Sequence, residues 1–158
     1  MVNQKDLIKL IGGKKKLNDA DLQGADLRNI IFEDVELREA NLSGANLSYT
    51  NLTRVDLREA NLSGANLEGA NLSAVVLDFA NLSGADMRGM KTNNDMLKKR
   101  NRISVLFKSL DIMSVGLVHA NLEGANLEGA VMRYANLEGA NLLDANLDGA
   151  KLDRVKGL

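Results

Sequence analysis

The sequence predicts an all-β solenoid, a chain wound into square coils of 20 residues, and three observations lead there. A large apolar residue recurs at every fifth position, the residue two before it is small or β-branched, and whole segments return after 20 residues. The apolar positions are Leu17, Leu22, Leu27, Phe32, Leu37, Leu42, Leu47, Leu52, Leu57, Leu62, Leu67, Leu72, Leu77, Leu82 and Met87, then Leu117, Leu122, Leu127, Met132, Leu137, Leu142, Leu147 and Leu152. The small partners begin Ala20, Ala25, Ile30, Val35, Ala40, Ala45, Thr50, Val55 and Ala60. On a helix such a set would spiral around the surface, and on a flat strand alternate members would face away from any core. A chain with this period must turn a corner in every unit.

The second period says how many corners close a coil. Ala40-Asn41-Leu42-Ser43-Gly44 returns at 60–64 and 80–84, and Val35-Glu36-Leu37-Arg38-Glu39 returns as Val55-Asp56-Leu57-Arg58-Glu59. Four units of five therefore make one turn. The Leu and the small residue before it point inward and the other three positions face water. Stacked coils rise ~4.8 Å each through β-type pairing, so the Leu side chains form columns, each burial contributing about 1.5–3 kcal/mol. Glycine after the Leu suits a tight corner with positive φ.

These units resemble those of the pentapeptide repeat superfamily, whose consensus is A(D/N)LXX, over Ala20–Gly89 and Ala120–Arg154. The resemblance implies a right-handed quadrilateral β-helix and a non-enzymatic chain without a cofactor. It also implies relatives that are abundant in cyanobacteria and mostly uncharacterised. The organisation that follows is 1–14 as an N-terminal helical cap, 15–89 as a first block, 90–114 as a basic insertion and 115–158 as a second block of one continuous solenoid.

Two segments depart from the repeat. From Met90 to Ser104 the inward slots would hold Asp95, Arg100 and Arg102, charges that a core without partners does not tolerate. One reading loops out 90–104 and resumes a degenerate coil at Val105/Phe107. The other, which is the expected form, makes 93 to about 113 an amphipathic helix with Ile103, Leu106, Phe107 and Leu110 on one face, and resumes the coil near Val115. Residues 1–14 place Val2, Leu7, Ile8, Leu10 and Ile11 at helical spacing before Gly12-Gly13, as a lid over the first coil would require. No comparable lid follows Leu152, so the carboxyl end is expected to self-associate as a homodimer or to dock a partner.

Composition removes most chemistry. The 158 residues include no Pro, Cys or Trp and a single histidine, His119, which excludes a disulfide scaffold and a Cys/His zinc site. The charged amino terminus fits neither a secretory signal nor a membrane span, so a cytoplasmic protein is expected. The net charge of −1 conceals three zones. Residues 1–16 carry five Lys against one acid, 88–111 carry seven basic residues against Asp95 and Asp111, and the rest is strongly acidic.

Few residues qualify as sites. His119 falls at an outward corner with no nucleophile or second imidazole placed by motif, and reads as a surface histidine. Glu33-Asp34 and the stacked Glu36 and Asp56 follow no metal-binding loop, and no Gly-rich stretch has a phosphate-loop order. No metal, cofactor or catalytic residue is therefore assigned. Arg38 over Arg58 and Glu39 over Glu59 form like-charge columns that need partners on neighbouring columns. The partner-binding candidates are Lys98, Lys99, Arg100, Arg102 and Lys108 in the insertion. Nucleic acid is disfavoured because the acidic body repels phosphate and no aromatic platform accompanies the cluster.

The expected function is a structural or protein-interaction module. A rival comes from the resemblance: some relatives bind type II topoisomerases such as gyrase as acidic, rod-shaped DNA mimics and protect them from quinolones. A third reading is a small regulator that uses the insertion as its recognition loop.

Overall fold

The computed structural model describes residues 15–32, 34–90 and 115–158. Each unit makes a single parallel bridge to the coils before and after it, at the position just ahead of the central apolar residue: Asp21 with Asn41, Asn41 with Asn61, Asn61 with Asn81. Positions within a unit are numbered from the central residue as −2, −1, 0, +1 and +2. Faces 1 to 4 are those centred on Leu57, Leu62, Leu67 and Leu72 and their equivalents. Coils 1 to 4 start at Lys15, Val35, Val55 and Val75, and coils 5 and 6 at Val115 and Ala135.

One unit shows why this sequence adopts this backbone. Leu62 donates its N–H to the Asn81 carbonyl of the next coil at 2.7 Å, Gly64 donates to Ser83 at 2.9 Å, and Asn61 donates back to Ala40 at 2.9 Å. The corner is a four-residue turn closed by the Ala65 N–H on the Leu62 carbonyl at 3.0 Å, with Gly64 at φ +63°. The N–H at +1 takes no part in this backbone scheme. It is met by the side chain at −1: Asn61 Oδ1 accepts from Ser63 at 3.1 Å and Asn41 Oδ1 from Ser43 at 3.2 Å. Asn or Asp recurs at −1 because a short side-chain carbonyl reaches that N–H, as in an Asx turn.

At two units where −1 lacks that group, a neighbouring coil supplies it. Glu36 stands at −1 of its unit and the Arg38 N–H is taken by Asn18 at 3.0 Å; Gly116 stands at −1 and the Val118 N–H is taken by Asp78 at 3.1 Å. Glycine at the corner is favourable but not obligatory. Thirteen non-glycine residues among those described, Asp19, Glu39, Tyr49 and Phe79 among them, hold φ near +60°, at roughly 1–2 kcal/mol each.

Inside, the central residues from Leu17 to Leu137 are no more than 2% exposed and form one core with the small residues at −2. Thr50, also buried at −2, satisfies its hydroxyl by donating to the Leu47 carbonyl at 2.6 Å. Two members of the expected core differ. Leu142 and Leu147 are only partly buried, as are Leu152 and Val155, because among the described residues only 155–158 lie beyond coil 6.

The insertion leaves the register intact. Val76 pairs with Gly116, Asn81 with Asn121 and Asp86 with Asn126, forty positions apart where twenty is the rule elsewhere. Gly116 donates to the Val75 carbonyl at 3.0 Å, so coil 5 stacks directly on coil 4 at this face. This corrects the reading in which a degenerate coil resumes at Val105, since no coil stands between those two. Met90 corrects the expected boundary: it is fully buried and its carbonyl accepts from Val131 at 3.1 Å, so the repeat runs one residue further than 89. The expected helical cap over 1–14 and the expected helix within 93–113 lie outside the described residues.

Leu62→Ala is expected to destabilise the chain by about 2–5 kcal/mol, with Leu142→Ala costing clearly less. Thermal melts of the two variants check this, and equal losses would mean that the last coil is as enclosed as the third.

Candidate functional site

The outward positions give each face its own chemistry. Face 1 of coils 2 and 3 is an ion network centred on Asp56. Its carboxylate receives Arg58 Nη2 at 2.6 Å and Arg58 Nε at 2.9 Å from its own unit, and Arg38 Nε at 2.6 Å from the coil before. The stacked arginines are therefore bridged by one acid. Hydrogen bonding to Arg58, and further to Arg38, holds the Asp56 carboxyl at about 2 against the opposing effect of its burial. Asp26 with Arg28 and Asp86 with Arg88 repeat the −1 to +1 pairing on face 3, and in each the arginine's hydrogen bond lowers the carboxyl. On face 4 Arg54 Nε meets Asp34 at 2.6 Å from the next coil and lowers that acid in the same way.

Face 1 thins its charge to Asp78 in coils 4 and 5, where Val76, Gly116 and Val118 stand at the other outward positions. At its corner Phe79 is 60% exposed and stacks on His119 with ring centroids 5.2 Å apart. His119 is thus a packing residue as well as a surface one. It covers Gly139, whose missing Cβ would lie 2.2 Å from Nδ1; Tyr49 covers Gly69 in the same manner, one coil along. At these two corners the ring at +2 lies over the following coil where a Cβ would stand.

Coils 5 and 6 separate their charges by face. Faces 2 and 3 carry Glu123, Glu128, Asp144 and Asp148 and no Lys or Arg. Face 4 carries Arg133, Lys151 and Arg154 against Asp153, and Lys156 follows on face 1, paired with Asn136. Arg133 Nε donates to Asp153 at 2.7 Å, while Arg154 donates to the Tyr134 hydroxyl at 3.0 Å with its guanidinium 5.4 Å from that ring's centroid. Sequence reasoning missed this division because it summed the charge of the repeat blocks rather than sorting it by face. The 20-residue register was the signal that would have sorted it.

Among the described residues no three His, Cys, Asp or Glu side chains converge as metal ligands would, and no helix is long and apolar enough to cross a membrane. Glu36 and Asp56 take cationic partners rather than acting as a pair: Glu36 lies 3.8 Å from Lys16. The insertion candidates Lys98, Lys99, Arg100, Arg102 and Lys108 lie outside the described residues, between Met90 on face 4 and Val115 on face 1.

The comparisons with known proteins agree with this architecture. The family model described as pentapeptide repeats matches residues 16–54, 50–89 and 117–156 in 8 copies. No curated protein matches the chain. Among solved structures, full-length QnrB1, a plasmid-mediated fluoroquinolone resistance protein, is similar with a TM-score of 0.60 and 21% identity over 84% of this chain. This chain spans 58% of that protein's length. A pentapeptide repeat protein from the Arabidopsis thaliana thylakoid lumen is similar with a TM-score of 0.50 and 24% identity, over 85% of this chain and 74% of that one. At these identities the likeness concerns the fold.

The Asp56 cluster makes a test of the surface. A carboxyl held at about 2 against an ordinary 3.8 favours the ionised form in the folded state, so its stabilisation is full above pH 4 and is lost as pH falls towards 2. With its arginines about half exposed, the contribution is at most about 2 kcal/mol. Asp56→Asn is expected to melt below wild type at neutral pH, with the gap closing below pH 3; a constant gap would refute the ion network.

Proposed function

Because the chain belongs to the pentapeptide repeat family, we propose that it is a non-enzymatic protein-interaction module acting in the cytoplasm, with the solenoid as a rigid platform and the insertion as its recognition element. One observation supports this most. The coils on either side of the insertion keep their pairing, Val76 with Gly116, so 20 extra residues are carried without disturbing the frame. Twenty residues beyond what the coil register requires, concentrating Lys98, Lys99, Arg100, Arg102 and Lys108, support a role in recognition. A small regulator with this segment as its recognition loop is the same reading at a finer level.

The register also designs the experiment. Removing 95–114 takes out 20 residues and returns every later bridge to a spacing of 20. This deletion is expected to melt within a few degrees of the full chain. Affinity capture from the source lysate, followed by mass spectrometry, is expected to return a protein partner with the full chain and not with the deletion. Equal capture by both would remove the insertion from recognition and leave the faces.

A second reading is protection of a type II topoisomerase as a DNA mimic. It is favoured by the likeness to a fluoroquinolone resistance protein and by the uninterrupted acids on faces 2 and 3 of coils 5 and 6. On that reading, purified protein at stoichiometric amounts alters gyrase supercoiling and relieves quinolone inhibition, and inertness in both assays retires it.

A further inference from the structure

We propose that face 4 of coils 5 and 6 is a docking surface for a short acidic segment of a partner protein in extended conformation; this rests on the interaction-module reading and names the chemistry of the partner. Three cations, Arg133, Lys151 and Arg154, lie on the two turns there against the one acid Asp153, while faces 2 and 3 of the same two coils carry Glu123, Glu128, Asp144 and Asp148 with no cation. A patch of two coil steps of ~4.8 Å suits a few residues of extended chain better than a globular face.

The two arginines are held in place by groups that leave donors over. Arg133 uses Nε on Asp153, and Arg154 is set over the Tyr134 ring with one nitrogen on the hydroxyl. A guanidinium has five N–H donors in a planar fork, so both arginines retain nitrogens able to take a carboxylate. Lys151 is exposed beside them.

The same geometry favours a protein over nucleic acid. A duplex with one phosphate charge per about 1.7 Å of axis would extend past two coils and meet the acids of the adjoining faces. The aromatic ring of the patch, Tyr134, is covered by Arg154 and is not a platform for a base. Acidic side chains on a single extended strand place their charges only where the cations are.

Binding of a fluorescent decaglutamate peptide to the full chain, read by anisotropy at low salt, tests the proposal against a fluorescent DNA duplex of similar length. Decaglutamate is expected to bind and to be weakened about tenfold by Arg133→Glu/Lys151→Glu/Arg154→Glu, and in the same direction by Lys151→Glu alone, which keeps both arginine contacts. Glu123→Lys/Asp144→Lys on the far side is expected to leave it unchanged or tighter. Wild-type affinity in both face 4 variants overturns the proposal. So does preferential duplex binding through these cations, or a salt-sensitive dimer that the variants abolish, which would make a second copy the occupant. Capture of a partner by a chain that ignores decaglutamate refutes this face while the module reading stands; loss of decaglutamate binding in the variants, with no partner captured, supports the face and counts against the module reading alone.

Discussion

The central Leu N–H of one unit donates to the carbonyl that precedes the central residue of the next coil, and this contact sets everything else. Leu62 to Asn81 at 2.7 Å and Leu42 to Asn61 at 2.7 Å are two rungs of it, and Leu77 to Gly116 at 2.8 Å carries the same rung across the insertion. Each face is extended over so few residues that it makes one bridge and then turns. The sheets of this molecule run along its axis, not along its chain. Their continuity requires a fixed number of residues per coil, and an insertion is tolerated only if it leaves and rejoins at the same point of the next turn.

Having fixed the register, the backbone leaves one donor per unit over, and the outward chemistry is arranged around it. An Asx carbonyl at −1 meets that donor, and its amide can reach the Asx of the adjacent coil, as from Asn81 to Asn61 at 3.3 Å and from Asn141 to Asn121 at 3.0 Å. Replacing Asn by Asp keeps the cap and adds a charge, which is why an Arg at +1 accompanies Asp26, Asp56 and Asp86. The surface charge pattern is thus constrained by the turn geometry beneath it before any partner is considered.

The solenoid was legible because its hydrophobic period is incompatible with any other regular structure, and the coil length because Ala-Asn-Leu-Ser-Gly returns at a fixed distance. Other features were not legible from one unit taken alone. That Asp78 would stand in for the missing side chain of Gly116 depends on a coil 38 to 40 positions away, and no local pattern marks it. The exposure of Leu142 and Leu147 reflects their place in the stack; their own residue types match those of the buried Leu62. The basic face of coils 5 and 6 was hidden by averaging, since Arg133 and Lys151 are diluted in sequence by Glu128, Glu138 and Asp144 that point elsewhere. Charge in a solenoid becomes informative only after it is sorted by register.

The rings at +2 lean one way along the axis. Tyr49 covers Gly69 and His119 covers Gly139, each reaching over the coil that follows it in sequence. Where the ring lies flat on the next corner, as at Tyr49 and His119, that corner is glycine; where it meets a ring or a guanidinium, as Phe79 meets His119 and Tyr134 meets Arg154, the corner keeps its side chain. Bulk at Gly69 or Gly139 is therefore limited by a ring one coil earlier and not by the corner's own turn.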